Sequence, residues 1–327
     1  MHRRMRICFF IPEHHAPDNE RREAWLSGQI PSLLAGGKSA SAQAWLFQTW
    51  AELRGQTDVE LTNHIPDEGI IVTLANFLTP NFRATSKQLV CAVVADFQPH
   101  PGAQIQIIQN AAHAKGLRHA QFVPHWPQPN LIPRTHARGD RFETIAFFGD
   151  RSNLCSVLLN PEFGKKLQEA CGARIEIRSA ERWHDYSDVD AVLAIRDFST
   201  ARQLHKPATK LYNAWLAGVP FLAGSDSAYS AEAEPGRDYL VAKSEQHVLE
   251  LLSELQKNPA RRQALVAAGQ KKTATRNRDA VRAIWLQLLN DELPSHLNRW
   301  KSKGENTQRM FWLKQRALLF VDRLLRS

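Results

Sequence analysis

The sequence of 327 residues predicts an α/β protein of two Rossmann-like domains, each a parallel sheet covered by helices. Three observations lead to this fold class. The length is roughly twice the ~150 residues of a usual domain. Short apolar runs alternate with helical patterns along most of the chain. These runs are nearly continuous in Val, Ile and Leu, as is typical of strands buried on both faces of a parallel sheet.

The first half of the chain contains one such series. Strands are predicted at 6–12, 69–78, 88–96 and 103–109. A helix is predicted at 40–54, where Trp45, Trp50 and Leu53 recur at helical spacing. A stretch with four prolines between Pro124 and Pro133 follows. Because proline fixes φ and lacks an N–H group, this stretch is predicted to connect two domains rather than to form a helix or a central strand.

The second half contains another series. Strands are predicted at 144–149, 174–178, 190–196 and 219–223, and helices at 161–171 and 244–255. Pro207 and Gly218 mark the start and end of a further helix, and Asn258 and Gly269 those of another. The predicted domains are an N-terminal Rossmann-like domain at 1–134, a C-terminal Rossmann-like domain at 135–295, and a basic amphipathic helix at 296–327.

Composition excludes several classes of protein. Apolar residues make up 43% and charged residues 23%, which argues against disorder and coiled coil. No apolar run reaches the roughly 20 residues that span a bilayer. The apolar stretch at 7–11 stops at Pro12 and is too short for a signal peptide. Four scattered cysteines without a C-x-x-C motif predict neither disulfides nor structural zinc, and favour the cytoplasm.

The formal net charge of +9 is concentrated in the tail, where residues 296–327 contain eight basic and two acidic residues. An apolar face is predicted along this helix, and basic residues recur every seventh position opposite it. The apolar face comprises Leu313, Ala317, Phe320, Val321 and Leu324, and the basic one Arg309, Arg316 and Arg323. Two interpretations stay open: the helix lies on anionic lipid, or it packs across the N-terminal domain. No nucleic-acid recognition motif accompanies the charge.

Familiar nucleotide motifs are absent from the sequence. No G-x-G-x-x-G follows a predicted strand. The segment 36–39 (Gly-Gly-Lys-Ser) imitates the end of a P-loop, but Ser32 stands at the position of the required first glycine. Asp188-Val-Asp190 is interpreted as the start of a strand rather than a metal-binding motif, so no metal site is predicted.

The strongest local signal is the helix that begins near Pro207. A helix start presents free N–H groups and the positive end of the helix dipole, which together bind anions. Lys206 and Lys210 lie four residues apart at this start, with the hydroxyl of Thr209 between them. The sequence therefore predicts a site for a diphosphate.

This stretch, which ends in Ala217-Gly218-Val219-Pro220 before a strand, resembles the donor-binding helix of GT-B-fold glycosyltransferases. The segment from Tyr229 to Val241 and the loop at 149–154 resemble two further parts of that fold. The resemblance is best over 143–290. It implies a nucleotide-sugar donor bound by the C-terminal domain, a glycan or glycolipid acceptor at the N-terminal domain, and no metal or other cofactor.

The resemblance also implies the residues that bind the donor. They are Gly149, Arg151, Asn153, Arg178, His205, Lys206, Thr209, Lys210, Asn213 and Tyr229. Many retaining members carry two glutamates eight positions apart, where this chain has His205 and Asn213. This departure argues against the common retaining subgroup.

An inverting transfer needs a base that deprotonates the acceptor hydroxyl. Asp96, at the end of a predicted strand, is the preferred candidate, with His14 and His15 as alternatives. The predicted function is glycosyl transfer in cell-envelope polysaccharide synthesis, in the cytoplasm or at the inner face of the membrane. A non-catalytic sugar-binding module is the alternative, and nucleic acid is not an expected partner.

Overall fold

The computed structural model describes residues 5–27, 40–117, 119–199 and 203–324. The P-loop-like segment at 36–39 lies outside the described residues. Within them, the chain forms two all-parallel sheets, one of six strands and one of five. The predicted two-domain α/β class is therefore confirmed.

The first sheet has the strand order β2-β1-β3-β4-β5-β6. Its strands are β1 (Ile7–Phe10), β2 (Val59–Thr62), β3 (Gly69–Leu74), β4 (Gln88–Val93), β5 (Ile105–Ile108) and β6 (Ala120–Phe122). The four predicted strands are confirmed with shorter bounds. The edge strands β2 and β6 escaped prediction because β2 mixes polar and apolar residues and β6 is only three residues long.

Among the described residues before β2, three segments are α-helical. They are α1 (Asn19–Leu26), α2 (Ala40–Ala42) and α3 (Gln48–Leu53). A π-helical segment, Gln43–Phe47, joins α2 to α3, so the helix predicted at 40–54 is confirmed as one continuous element. Its side chains Trp45, Leu46 and Leu53 pack into the core beneath the first sheet.

The second sheet has the order β11-β10-β9-β7-β8. Its strands are β7 (Thr144–Phe148), β8 (Arg174–Arg178), β9 (Ala191–Ala194), β10 (Phe221–Ala223) and β11 (Leu240–Val241). Its helices are α4 (Pro161–Cys171), α5 (Thr209–Ala217), α6 (Ser227–Glu232), α7 (Glu245–Lys257) and α8 (Pro259–Thr273). Both α4 and β8 have the predicted bounds, and Gly218 ends α5 with a left-handed φ of 70°.

The predicted role of Gly269 is wrong. This glycine lies inside α8, which continues to Thr273. A Cβ at this position would be 2.1 Å from Cδ1 of Trp215, which is buried on α5. Gly269 therefore allows α8 to pack closely on α5, the helix that carries the predicted diphosphate site.

The proline-rich connection runs from β6 to β7 and is tied to the second sheet by a buried carboxylate. Asp190, which directly precedes β9, binds the guanidinium groups of Arg134 at 2.9 Å and Arg138 at 2.6 Å. It also accepts hydrogen bonds from the backbone N–H groups of Glu143 and Thr144. Asp190 is thus a structural anchor, as the interpretation of Asp188-Val-Asp190 as a strand start implies.

After α8 the chain returns to the first sheet as α9 (Arg278–Gln287), α10 (Leu293–Lys301) and α11 (Glu305–Leu324). Trp285 and Leu297 lie in the core beneath the first sheet. Glu52 accepts hydrogen bonds from Arg278 and Arg282. Residues after 277 therefore pack with the N-terminal domain, although part of them falls within the predicted C-terminal domain.

The last helix, α11, uses a different face from the one predicted. Trp312 is buried against Trp300, at a ring distance of 5.2 Å, and Arg316 donates a hydrogen bond of 2.9 Å to Asn81. The helix thus packs on the N-terminal domain. Leu313 and Phe320, on the predicted apolar face, are exposed.

No helix in the described part of the chain is long and apolar enough to cross a membrane.

Candidate functional site

A cavity of about 250 Å³ lies in the cleft between the two sheets. The predicted site residues that line it are Asp96, Gly149, Thr209, Lys210 and Asn213. Further lining comes from Trp45, His125 and Trp183. The cavity therefore brings together residues from both domains and from the proline-rich connection.

A larger cavity of about 950 Å³ lies elsewhere, beside the start of β9. Its charged lining is already engaged: Asp190 binds Arg134, and Arg262 donates a hydrogen bond to the backbone carbonyl of Asp140. None of the predicted site residues lines it. Chemistry therefore places the candidate site in the smaller, interdomain cavity.

The helix α5 begins at Thr209, so Lys206 lies just before the helix rather than in its first turn. The hydroxyl of Thr209 is buried and has no hydrogen-bond partner among the described residues. Lys210 extends toward Gly149, where a Cβ would lie 3.5 Å from its Cε. Gly149 has a φ of 151°, which disfavours any side chain there. Glycine is thus favoured here by its backbone conformation, and Lys210 lies at ordinary van der Waals distance from it.

The pKa of Lys210 is lowered to about 8. Burial is the largest cause, because it disfavours the charged ammonium, and the nearby guanidinium of Arg196 lowers the pKa further. Asp226 acts in the opposite direction, and burial raises its own pKa. Keeping Lys210 charged in this buried position therefore costs free energy, and an anionic ligand would offset that cost.

An ion pair crosses the cleft. Nζ of Lys206 lies 2.6 Å from Oδ1 of Asp96, which follows β4 on the opposite wall. A second contact joins the walls nearby, since Nε2 of His205 is 3.2 Å from Nε2 of Gln98. Asp96 thus faces the cleft at the carboxyl end of its strand, as expected, but in direct contact with Lys206.

Residues 161–287 match a family model described as glycosyl transferase-like. No curated protein sequence matches the chain. The structure of HepE from Anabaena with UDP and glucose is 11% identical, with 88% of this chain and 100% of HepE covered at a TM-score of 0.54. AviGT4, a glycosyltransferase of avilamycin A biosynthesis, is 12% identical, with coverage of 89% and 98% at 0.52. TarM from S. aureus is 10% identical, with coverage of 75% and 58% at 0.51.

The chain has the GT-B fold, and residues 161–287 of its second domain are similar to the glycosyl transferase-like family model. The predicted resemblance is thereby confirmed. In a GT-B arrangement the cleft between the two sheets is where the carboxyl ends of both sets of strands meet, and ligands of open α/β sheets bind at such ends.

Several predicted donor-binding residues lie outside the cavity of this GT-B cleft. Arg178 is buried and forms ion pairs with Asp188 at 2.7 Å and Glu176 at 3.3 Å. Tyr229 is buried in the core, 4.9 Å from the ring of Phe221. Neither side chain lines the cavity: Arg178 is held by ion pairs beside β8, and Tyr229 packs in the core.

Of three further predicted donor residues, Arg151, Asn153 and Asn213, only Asn213 lines the cavity. Arg151 is exposed on a short 3-10 helix after β7, and Asn153 on the same turn accepts a hydrogen bond from Arg196. Asn213 lines the cavity, but its Oδ1 already accepts a hydrogen bond of 2.9 Å from the backbone N–H of Gln128. This hydrogen bond joins the proline-rich connection to α5.

The alternative bases are separate from the cavity lining. His14 and His15 follow β1 on a short 3-10 helix, with their rings 4.3 Å apart. His15 also stacks on Phe77 at 4.8 Å. Of the three predicted base candidates, only Asp96 lines the cavity.

His125 is a cavity residue that sequence reasoning missed. Its Nδ1 lies 2.5 Å from the carbonyl oxygen of Trp126, and because a carbonyl only accepts, Nδ1 carries the hydrogen. Its ring is nearly perpendicular to that of Trp45, with the ring centroids 4.0 Å apart. Burial is the main cause that lowers its pKa to about 4, so the ring is neutral at pH 7. His125 was not predicted as a site residue because the proline-rich stretch around it was interpreted only as a connection between domains.

Proposed function

We propose that this protein is a glycosyltransferase that moves a sugar from a nucleoside-diphosphate donor to a hydroxyl group. The observation that carries the proposal is Lys210, a cation at the start of α5 that has no ion pair among the described residues. A diphosphate supplies the ion-pair partner that Lys210 lacks among the described residues. HepE and TarM were solved with UDP, which makes UDP the first nucleotide to test.

The reaction breaks the bond between the anomeric carbon and the diphosphate oxygen, and the electron pair leaves with the diphosphate. The ammonium of Lys210, the hydroxyl of Thr209 and the N–H groups at the start of α5 stabilise this charge. The acceptor hydroxyl oxygen bonds to the anomeric carbon, and its proton passes to the carboxylate of Asp96. No metal ion takes part in this scheme.

The ion pair between Lys206 and Asp96 fits this order of events. A diphosphate carries more negative charge than one carboxylate, so a bound donor attracts Lys206 more strongly. Asp96 is then released toward the acceptor. Lys206 therefore pairs either with Asp96 or with the bound donor.

The diphosphate site is tested by Lys210→Ala. We expect UDP binding to weaken by about 1–3 kcal/mol, the scale of a charge-assisted hydrogen bond, with binding of uridine nearly unchanged. Lys165→Ala, which removes an exposed lysine from α4, is the matched control and should leave both affinities unchanged. Calorimetric titration measures each value. Equal losses for UDP and uridine would contradict the assignment.

Transfer itself is tested with a panel of nucleotide sugars, by measuring release of the nucleoside diphosphate. Binding of a sugar nucleotide without transfer or hydrolysis would favour the non-catalytic sugar-binding module. The acceptor that we propose is a glycan or glycolipid of cell-envelope polysaccharide synthesis, reached from the cytoplasm at the inner face of the membrane.

A further inference from the structure

The helix α11 has two different faces. One face packs on the N-terminal domain through Gln308, Trp312 and Gln315, all of which are buried. Another face carries Leu313 and Phe320, whose exposed fractions are 59% and 64%. The contacts that hold the helix to the protein therefore leave its second face uncovered.

The uncovered face is apolar. Met310, Leu313, Ala317 and Phe320 are spaced by three or four residues, which places them in one line along the helix. We call these four residues the exposed stripe. Met310, Leu313 and Phe320 rank among the few large apolar side chains that are exposed in the described part of the chain. Such a concentration on one helix marks an interaction surface.

The borders of the exposed stripe are basic. Arg309 and Lys314 lie beside it on α11, and both are exposed. Lys301 and Lys303 are exposed at the junction just before the helix. An apolar line with basic borders matches the surface of an anionic bilayer, where apolar side chains enter the acyl boundary and cations meet the headgroups.

A second copy of the chain is a poorer occupant. A two-fold contact through the exposed stripe would pair the same surface with itself. Arg309 and Lys314 of one copy would then lie near those of the other, and like charges at an interface cost free energy. An anionic surface has no such penalty.

We propose that the exposed stripe of α11 docks on an anionic lipid bilayer, with the helix parallel to the membrane plane. The face that carries Trp312 stays on the protein. Because α11 packs on the domain that we expect to bind the acceptor, docking would bring that domain to a lipid-anchored acceptor. This last consequence rests on the proposed function, whereas the docking itself does not.

The test is cosedimentation of the full chain with vesicles of phosphatidylcholine alone and of phosphatidylcholine mixed with phosphatidylglycerol. We expect binding to the mixed vesicles that weakens at high salt. The double variant Leu313→Glu/Phe320→Glu should lower the partition coefficient by at least roughly tenfold. Val157→Glu, at an exposed apolar residue of the C-terminal domain, is the matched control and should bind normally.

Three results would overturn the proposal. They are absence of binding to the mixed vesicles, equal binding by the double variant, and a concentration-dependent dimer that the double variant abolishes. Thermal unfolding and UDP affinity of the double variant should match the wild type, because both side chains are exposed and distant in sequence from the cleft residues. A protein that binds vesicles but not UDP would instead refute the proposed function.

Discussion

The lowered pKa of Lys210 predicts that donor affinity depends on pH in an unusual range. A diphosphate binds the ammonium form of this lysine, and with a pKa of about 8 in the free protein the ammonium is half lost already at pH 8. An ordinary lysine, with a pKa near 10.5, stays charged throughout this range. Affinity for UDP should therefore fall as the pH rises above about 8.

The size of the effect follows from the linkage between protonation and binding. The bound diphosphate keeps the lysine charged. The dissociation constant at a given pH is therefore its value for fully charged lysine, multiplied by one plus the ratio of neutral to charged lysine in the free protein. From pH 7 to pH 9 this gives a loss of roughly tenfold, or about 1.4 kcal/mol. The terminal phosphate, with a second pKa near 6, is fully ionised over most of the range and adds little.

The assay is calorimetric titration of UDP at pH 7, 8 and 9. Lys210→Arg is the matched control, because a guanidinium keeps its charge at all three values. Ionisation of the nucleobase would affect both proteins equally and cancels in the comparison. Parallel curves for the wild type and Lys210→Arg would refute the reasoning, since they would show that Lys210 does not titrate against the diphosphate.

Further predictions concern the fold and the base. Gly269→Ala should lower the free energy of unfolding by about 1–3 kcal/mol in urea titrations, because the new Cβ would collide with Trp215. Gly164→Ala on α4, which has open space around it, should raise the free energy of unfolding by about 0.5–1 kcal/mol. Asp96→Asn should cut kcat at least about 100-fold with little change in donor affinity, and near-normal turnover would remove Asp96 as the base. The pKa of His125 is near 4 in the folded protein, so between about pH 6.5 and 4 only the unfolded state takes up the proton. The free energy of unfolding should therefore fall as the pH drops through this range, and His125→Asn should reduce this slope.

The parts of the fold that could be predicted are those whose ends carry strong local signals. Asn160 caps α4 and Pro161 opens it, so its bounds matched the prediction. Gly218 ended α5 as expected because its left-handed φ favours glycine. Gly269 is also a glycine, but it is required for a different reason, namely the close contact with Trp215. No local sequence pattern connects Trp215 to Gly269. A glycine that serves packing cannot be distinguished in sequence from one that ends a helix.

The site could be predicted only to the extent that local chemistry defines it. Lys210 and Thr209 were found because a helix start binds anions wherever it occurs. The pairing of Lys206 with Asp96 spans 110 positions of sequence and depends on how two domains face each other. His125 lies in a stretch that was interpreted only as a connection, yet Trp45 and the connection together hold its ring in the cleft.

The topology of the second sheet explains which predicted residues meet. From β7 the chain moves outward to β8 on one side and then crosses to β9 on the other. A crevice opens at the carboxyl ends of strands where the order reverses in this way. Gly149 follows β7, and Lys210 reaches into the crevice from α5. Arg178 ends the edge strand β8, outside the crevice, and its ion pair with Asp188 is consistent with that position. The same sheet order that assembles the cation site thus excludes Arg178 from it.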